Sequence, residues 1–278
     1  MERLLSRLLR VSVACFLLSA AWDHFFWEAP YRAALEAYPG VASFLRLTPS
    51  AGDRLAPGVA VGWLLGGVAT VLWRPEWLAR ALLVLVLVPL TGSLVAGAAL
   101  ADPVWSWVTT RVWGILATAT LAMSGSGRPV VERFLLRAGL TAAFGTWALL
   151  GMGWVGGEPG TWLGAVRAFW PGGHGGVSHE HLLAGLVMGA CVCLWTRPLA
   201  LAGSVLLMGA GLAAVLVPLG VRWEGSAHEL WHRWVPEAVG KLGLAVLPVA
   251  VWVAGGRRRR LRAEPRRLRR VETPEERG

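Results

Sequence analysis

Residues 80–100 read RALLVLVLVPLTGSLVAGAAL, one charge at the first position and then twenty residues without another. A helix rises about 1.5 Å per residue, so a run of this length covers the roughly 30 Å hydrocarbon core of a bilayer. A surface helix of a soluble protein needs a polar face toward water, and this stretch has none. It is therefore expected to span a membrane. Further apolar windows at 9–27, 57–73, 104–123, 134–155, 181–196, 199–219 and 239–254 predict seven more spans. The sequence thus predicts an all-α fold, a polytopic transmembrane helical bundle of about eight spans over residues 1–254. A basic tail, 255–278, is predicted to be disordered. The windows at 57–73 and 181–196 are short, so their helices are expected to extend into their flanks.

Composition agrees. With 55% hydrophobic residues in 278 and a mean hydropathy of +0.53, the chain has more apolar surface than one soluble core of this size needs. The net charge of +10 comes almost entirely from the tail between Arg257 and Arg270, directly after the last window. A basic cluster in that position anchors topology and attracts anionic lipid at about 1 kcal/mol per basic residue. Nucleic-acid binding would call for aromatic or base-reading groups among the arginines; the tail has no aromatic residue, so no nucleic-acid partner is expected. Cys15, Cys191 and Cys193 all lie in apolar windows, which argues against a disulfide framework. Cys191 and Cys193 are two apart on a predicted helix and point to different faces, so they form no chelating pair.

Orientation follows from the basic residues of the short loops, because translocating positive charge is disfavoured. Arg3, Arg7, Arg10, Arg74, Arg80, Arg128, Arg133, Arg137, Arg197 and ten tail arginines fall on one side, six arginines on the other. Both termini are accordingly expected in the cytoplasm, with the bundle in a bacterial inner membrane. Ser19-Ala20-Ala21 imitates a signal-peptide cleavage site, but the aromatic stretch from Trp22 to Trp27 suits the outer interface and favours an uncleaved first span. Tryptophans at predicted span ends (Trp22, Trp27, Trp73, Trp105, Trp107, Trp154, Trp195, Trp223) read as interfacial anchors. Gly62 with Gly66, and Gly145 with Gly151 and Gly153, are expected to let helices approach closely. Arg111, inside the fourth span, is expected to pair with an acid or to reach toward an interface.

The histidines carry the functional signal. Under this topology His24, His174, His179, His181, His228 and His232 all fall at the extracytoplasmic end, accompanied by Asp23, Glu28, Glu180, Glu229 and Glu237. Ionisable groups near membrane depth often mark ion, proton or metal sites; solvated loop residues are the alternative. The sharpest motif is His228-Glu229-Leu230-Trp231-His232, an H-E-x-x-H pattern. On a helix it sets two imidazoles on one face toward a metal. It resembles the zincin metalloprotease signature, which implies zinc on His228 and His232, Glu229 as general base, and a third ligand from His179, His181 or Glu237. Arg233 and Pro236 depart from that signature, and the neighbouring tryptophans suggest an amphipathic surface segment instead of an apolar helix.

The stretch Trp22-Asp23-His24-Phe25-Phe26-Trp27-Glu28-Ala29-Pro30-Tyr31-Arg32 puts His24 and Glu28 one turn apart. With the later histidine-bearing spans it resembles bacterial membrane proteins of the DoxX-like and HTTM (vitamin K carboxylase-related) groupings. That resemblance implies a small helical bundle and loosely suggests quinone-linked redox chemistry, although DoxX-like proteins usually have about four spans. No phosphate-binding loop is present, so nucleotide use is not expected. The reading is a redox-associated or small-ligand- or metal-binding membrane subunit with a pocket of His24, Glu28 and Glu180. Zinc or another transition metal would sit on His228, His232, His179 and His181. A zinc-dependent membrane hydrolase using Glu229, and a purely structural membrane component, are the alternatives.

Overall fold

The computed structural model describes residues 2–26, 49–98, 105–124, 129–152, 179–196, 198–221, 231, 235 and 238–251. Among them the chain is all-helical, with no strand. The helices are α1 (Glu2–Phe26), α2 (Pro49–Leu72), α3 (Glu76–Ala98), α4 (Trp105–Met123), α5 (Pro129–Gly151), α6 (His179–Trp195), α7 (Ala200–Val221) and α8 (Ala238–Val251). Each coincides with one predicted window, and the short windows do lengthen, most clearly in α2, which begins at Pro49.

Among the described residues two helices are long and apolar enough to cross a membrane, with their qualifying stretches at Leu4–Trp22 and Glu76–Val95. Five shorter apolar helices accompany them, at Ala60–Leu72, Val108–Met123, His181–Trp195, Ala200–Leu216 and Ala238–Val251. Charged residues also enter some of the remaining helices, and α6 is short. Asp53 and Arg54 stand at the start of α2, α5 carries Glu132, Arg133 and Arg137, and α6 has only 17 residues.

Successive helices run in opposite directions. Arg10 near the start of α1 donates from Nε to the Thr70 carbonyl (3.1 Å) and from Nη2 to the Val71 carbonyl (3.0 Å), at the end of α2. Those carbonyls have no partner inside the helix, and the guanidinium also complements the negative end of the helix dipole. Trp73 closes α2 in the left-handed region (φ 50°), its amide donating to the Ala69 carbonyl at 2.8 Å and its ring 5.6 Å from the Arg10 guanidinium. The chain then turns into α3, whose Glu76 pairs with Arg80 one turn later (3.6 Å). Loss of the Arg10 cap is expected to cost about 1–2 kcal/mol, less than two full charged hydrogen bonds because the site is partly exposed. Chemical unfolding of Arg10→Ala against wild type in one detergent checks it, and an unchanged midpoint would sink the cap.

Further along, Phe134 at the start of α5 stacks edge-on against Trp195 at the end of α6 (5.7 Å), and the Trp195 Nε1 donates to Thr141 Oγ1 (2.9 Å). Gly203, at the start of α7, abuts Ala190 and Leu194, at the end of α6. α8 packs antiparallel to α1, with Gly240 beside Ser19 and Gly243 beside Ser12 and Cys15. As a result the end of α1 and the start of α6 face one end of the bundle. The opposite end holds Arg7, Arg10, Arg74, Arg80, Arg133 and Arg137.

α1 occupies the centre, touching α2, α4 and α8. More than half of its apolar stretch is buried (56%), against 28% for α3 at the periphery. Small residues make these contacts possible. Phe16 lies where a side chain on Gly114 would begin, Gly66 meets Val86 and Leu17, and Ser12 donates to the Gly243 carbonyl at 2.6 Å. Hydroxyls within the helices mostly turn back on their own backbone: Thr70 bonds Gly67 O, Ser93 bonds Leu90 O and Thr120 bonds Leu116 O. This satisfies them without a neighbouring polar partner. Large apolar side chains cover the outside, among them Leu65, Leu85, Val88, Leu186, Val205 and Leu216.

The glycine expectation is met at one of the three positions whose surroundings are described, and Gly153 lies outside the described residues. Gly66 does sit in a close contact, whereas no atom lies within 4 Å of a Cβ built on Gly62, and Gly145 would meet only Thr141 of its own helix. Tryptophan also divides. Trp22 and Trp195 are exposed at helix ends, but Trp73 is buried at the α2–α3 turn, and Trp63, Trp113 and Trp147 belong to the core. Cys191 is buried and Cys193 half-buried, on separate faces of α6 as expected.

Candidate functional site

The sequence-derived site falls partly on helix ends and partly outside the described residues. His24 lies in the last turn of α1, and His179, Glu180 and His181 form the first turn of α6, so these two segments share one end of the bundle. The His181 side chain is exposed and engages in an interaction. Glu28, His228, Glu229, His232 and Glu237 lie outside the described residues. Among the described residues no three His, Cys, Asp or Glu side chains come together in a way that would hold a metal.

A second site emerges inside the bundle. Arg111, six residues into α4 and about 9 Å along it from Trp105, is 5% exposed and is the one buried charged side chain among the described residues. Its guanidinium lies 4.6 Å from the centroid of the Trp63 ring, and Trp63, on α2, is fully buried. Guanidinium stays protonated at any accessible pH, so α4 carries a permanent positive charge into an apolar interior. The indole face offsets part of its desolvation through the negative quadrupole of the ring. Arg111 and Trp63 each have a further interaction beyond this stack. Arg111 therefore does not extend to an interface, one of the two expectations for it.

The surroundings are aromatic. Phe16 of α1 meets Trp113 edge-on (4.8 Å, 88°), and Phe144 and Trp147 of α5 repeat that geometry at 5.5 Å. α4 is also the polar helix of the core, with Thr109, Thr118 and Thr120 buried on the same helix as Arg111. Trp113 Nε1 and Thr118 Oγ1 are buried and meet no hydrogen-bond partner among the described residues. Chemically, a fixed cation stacked on indole favours an anionic group or a carbonyl oxygen over any cationic one.

Sequence reasoning identified Arg111 but missed Trp63. The available signal was its place in the middle of the second window, where an interfacial role is excluded by depth. No family model, curated protein or solved structure matches the chain.

Proposed function

We propose that this chain is a polytopic inner-membrane protein of about eight spans with both termini in the cytoplasm. Its extracytoplasmic end forms a His and carboxylate site for a metal or small ligand, in a redox-associated or ligand-binding subunit. The likeness to DoxX-like and HTTM-like bundles is part of the same proposal. The observation that carries it is the segregation of polar chemistry between the two ends of the bundle. The helix ends bearing His24 and His179-Glu180-His181 share one end, and six arginines share the other. Arginine retention on the cytoplasmic side supports the orientation, and apolar side chains on the outward faces of α2, α3, α6 and α7 support lipid as the solvent.

Elemental mass spectrometry of detergent-purified protein, freed of any affinity tag, tests the site. Zinc or another transition metal is expected near stoichiometry in wild type and lost in His228→Ala/His232→Ala. Metal-free wild-type protein after gentle purification would remove the metal reading and leave a small organic ligand. The H-E-x-x-H motif supports a hydrolase as the second reading. In that case Glu229→Gln retains metal and loses turnover, because a general base is not a metal ligand.

A further inference from the structure

The corner between α1 and the α2–α3 turn concentrates cations without a matching acid. Arg7 is exposed one turn before Arg10 on the same side of α1, and Arg74 is exposed directly after Trp73. Arg10 uses Nε and Nη2 on the α2 carbonyls and lies against Trp73, which fixes α1 to this turn. Among the described residues Arg7, Arg10 and Arg74 have no carboxylate partner; the ion pair of this region is Arg80 with Glu76 at 3.6 Å. Exposed apolar side chains border the corner, with Leu72 at 66% and Trp77 at 71%, and Leu4 and Val71 beside them.

Water solvates the arginines and disfavours the border; hydrocarbon does the reverse. A phospholipid at the membrane surface meets both needs, because its phosphate accepts the forked donors of arginine and its acyl chains cover the apolar side chains. A zwitterionic headgroup would bring its own cation toward three arginines, so an anionic headgroup fits better. We infer that this corner is a binding site for the headgroup of an anionic phospholipid, seated between α1 and the α2–α3 turn and separate from the basic tail. The inference rests on the membrane reading and adds a defined lipid contact to it.

Native mass spectrometry of the full-length protein in detergent, offered equal phosphatidylglycerol and phosphatidylcholine, provides the test. All forms carry glutamine at the tail arginines so that the tail contributes nothing. Phosphatidylglycerol adducts are expected to predominate, and Arg7→Gln/Arg74→Gln to reduce that preference roughly 30-fold, the equivalent of about 1 kcal/mol for each arginine. Arg7→Lys/Arg74→Lys retains charge without the fork and is expected to fall between. A preference that survives the double glutamine variant overturns the inference. So does its absence in the tail-neutral parent, in which the corner itself is unaltered. Alkaline carbonate extraction of the same membranes separates the two levels. A chain released by carbonate defeats the membrane reading itself, whereas a retained chain with no lipid preference defeats only this site.

Discussion

Gly243→Ala is expected to destabilise the bundle by about 3 kcal/mol, combining overpacking with weakening of a buried hydrogen bond. A Cβ on Gly243 would stand 2.6 Å from the Ser12 carbonyl oxygen and 3.1 Å from Cys15 Cβ. The first of these is backbone, so no rotamer change relieves it and α8 must move away from α1. That movement lengthens the 2.6 Å bond from Ser12 Oγ to the Gly243 carbonyl, which is sealed from water. The control is a glycine in open space. Gly62 and Gly185 have nothing within 4 Å of a built Cβ, and alanine there is expected to be neutral or to stabilise by up to about 1 kcal/mol through helix propensity. Unfolding followed by tryptophan fluorescence in a single detergent compares the three variants. If Gly243→Ala unfolds with Gly185→Ala, the close contact between the first and last helices is wrong.

Arg111→Ala is expected to cost about 3–5 kcal/mol. Truncation leaves a cavity against the fully buried Trp63 and strips the groups that contact the guanidinium of their partner. The stack on Trp63, worth about 2 kcal/mol when dry, is lost as well. Lysine should rescue little, since an ammonium has no planar face to lay on the indole. Methionine, which fills the volume without charge, is expected to recover much of the stability. These variants separate two roles. If the cation serves the fold, methionine is both folded and competent; if it holds an anionic or carbonyl group, methionine is folded and deficient. An alanine variant within about 0.5 kcal/mol of wild type would falsify the buried stack.

The helices were legible because lipid-length apolar runs and the charges that bound them are local properties of the chain. α3 shows this best, since Arg80 to Leu100 is apolar on every face and needs no partner to be recognised. Which glycine faces which helix is not local. Gly62 and Gly66 lie one turn apart on α2 with the same composition around them, yet only Gly66 meets α1 and α3. The difference depends on the register of helices far away in sequence. Tryptophan misleads for the same reason, because an indole at a span end such as Trp73 turns inward once Arg10 arrives from α1. Of the candidate site, the sequence predicts that His24 and His179-Glu180-His181 share one end, and the helix order puts those segments there. Its geometry was not legible, since the sequence around residues such as His228 and Glu28 follows no hydrophobic period, and both lie outside the described residues.

Packing α8 on α1 also imposes an order in time. Ser12 and Gly243 are 231 positions apart, so at roughly 5–20 residues per second the ribosome needs on the order of 10–50 s to supply the partner of a helix already made. During that interval the Ser12, Cys15 and Ser19 side of α1 waits for α8 while the helices between are made. A chain that stops before residue 238 therefore keeps this small-residue groove open, and α8 is the element that closes it.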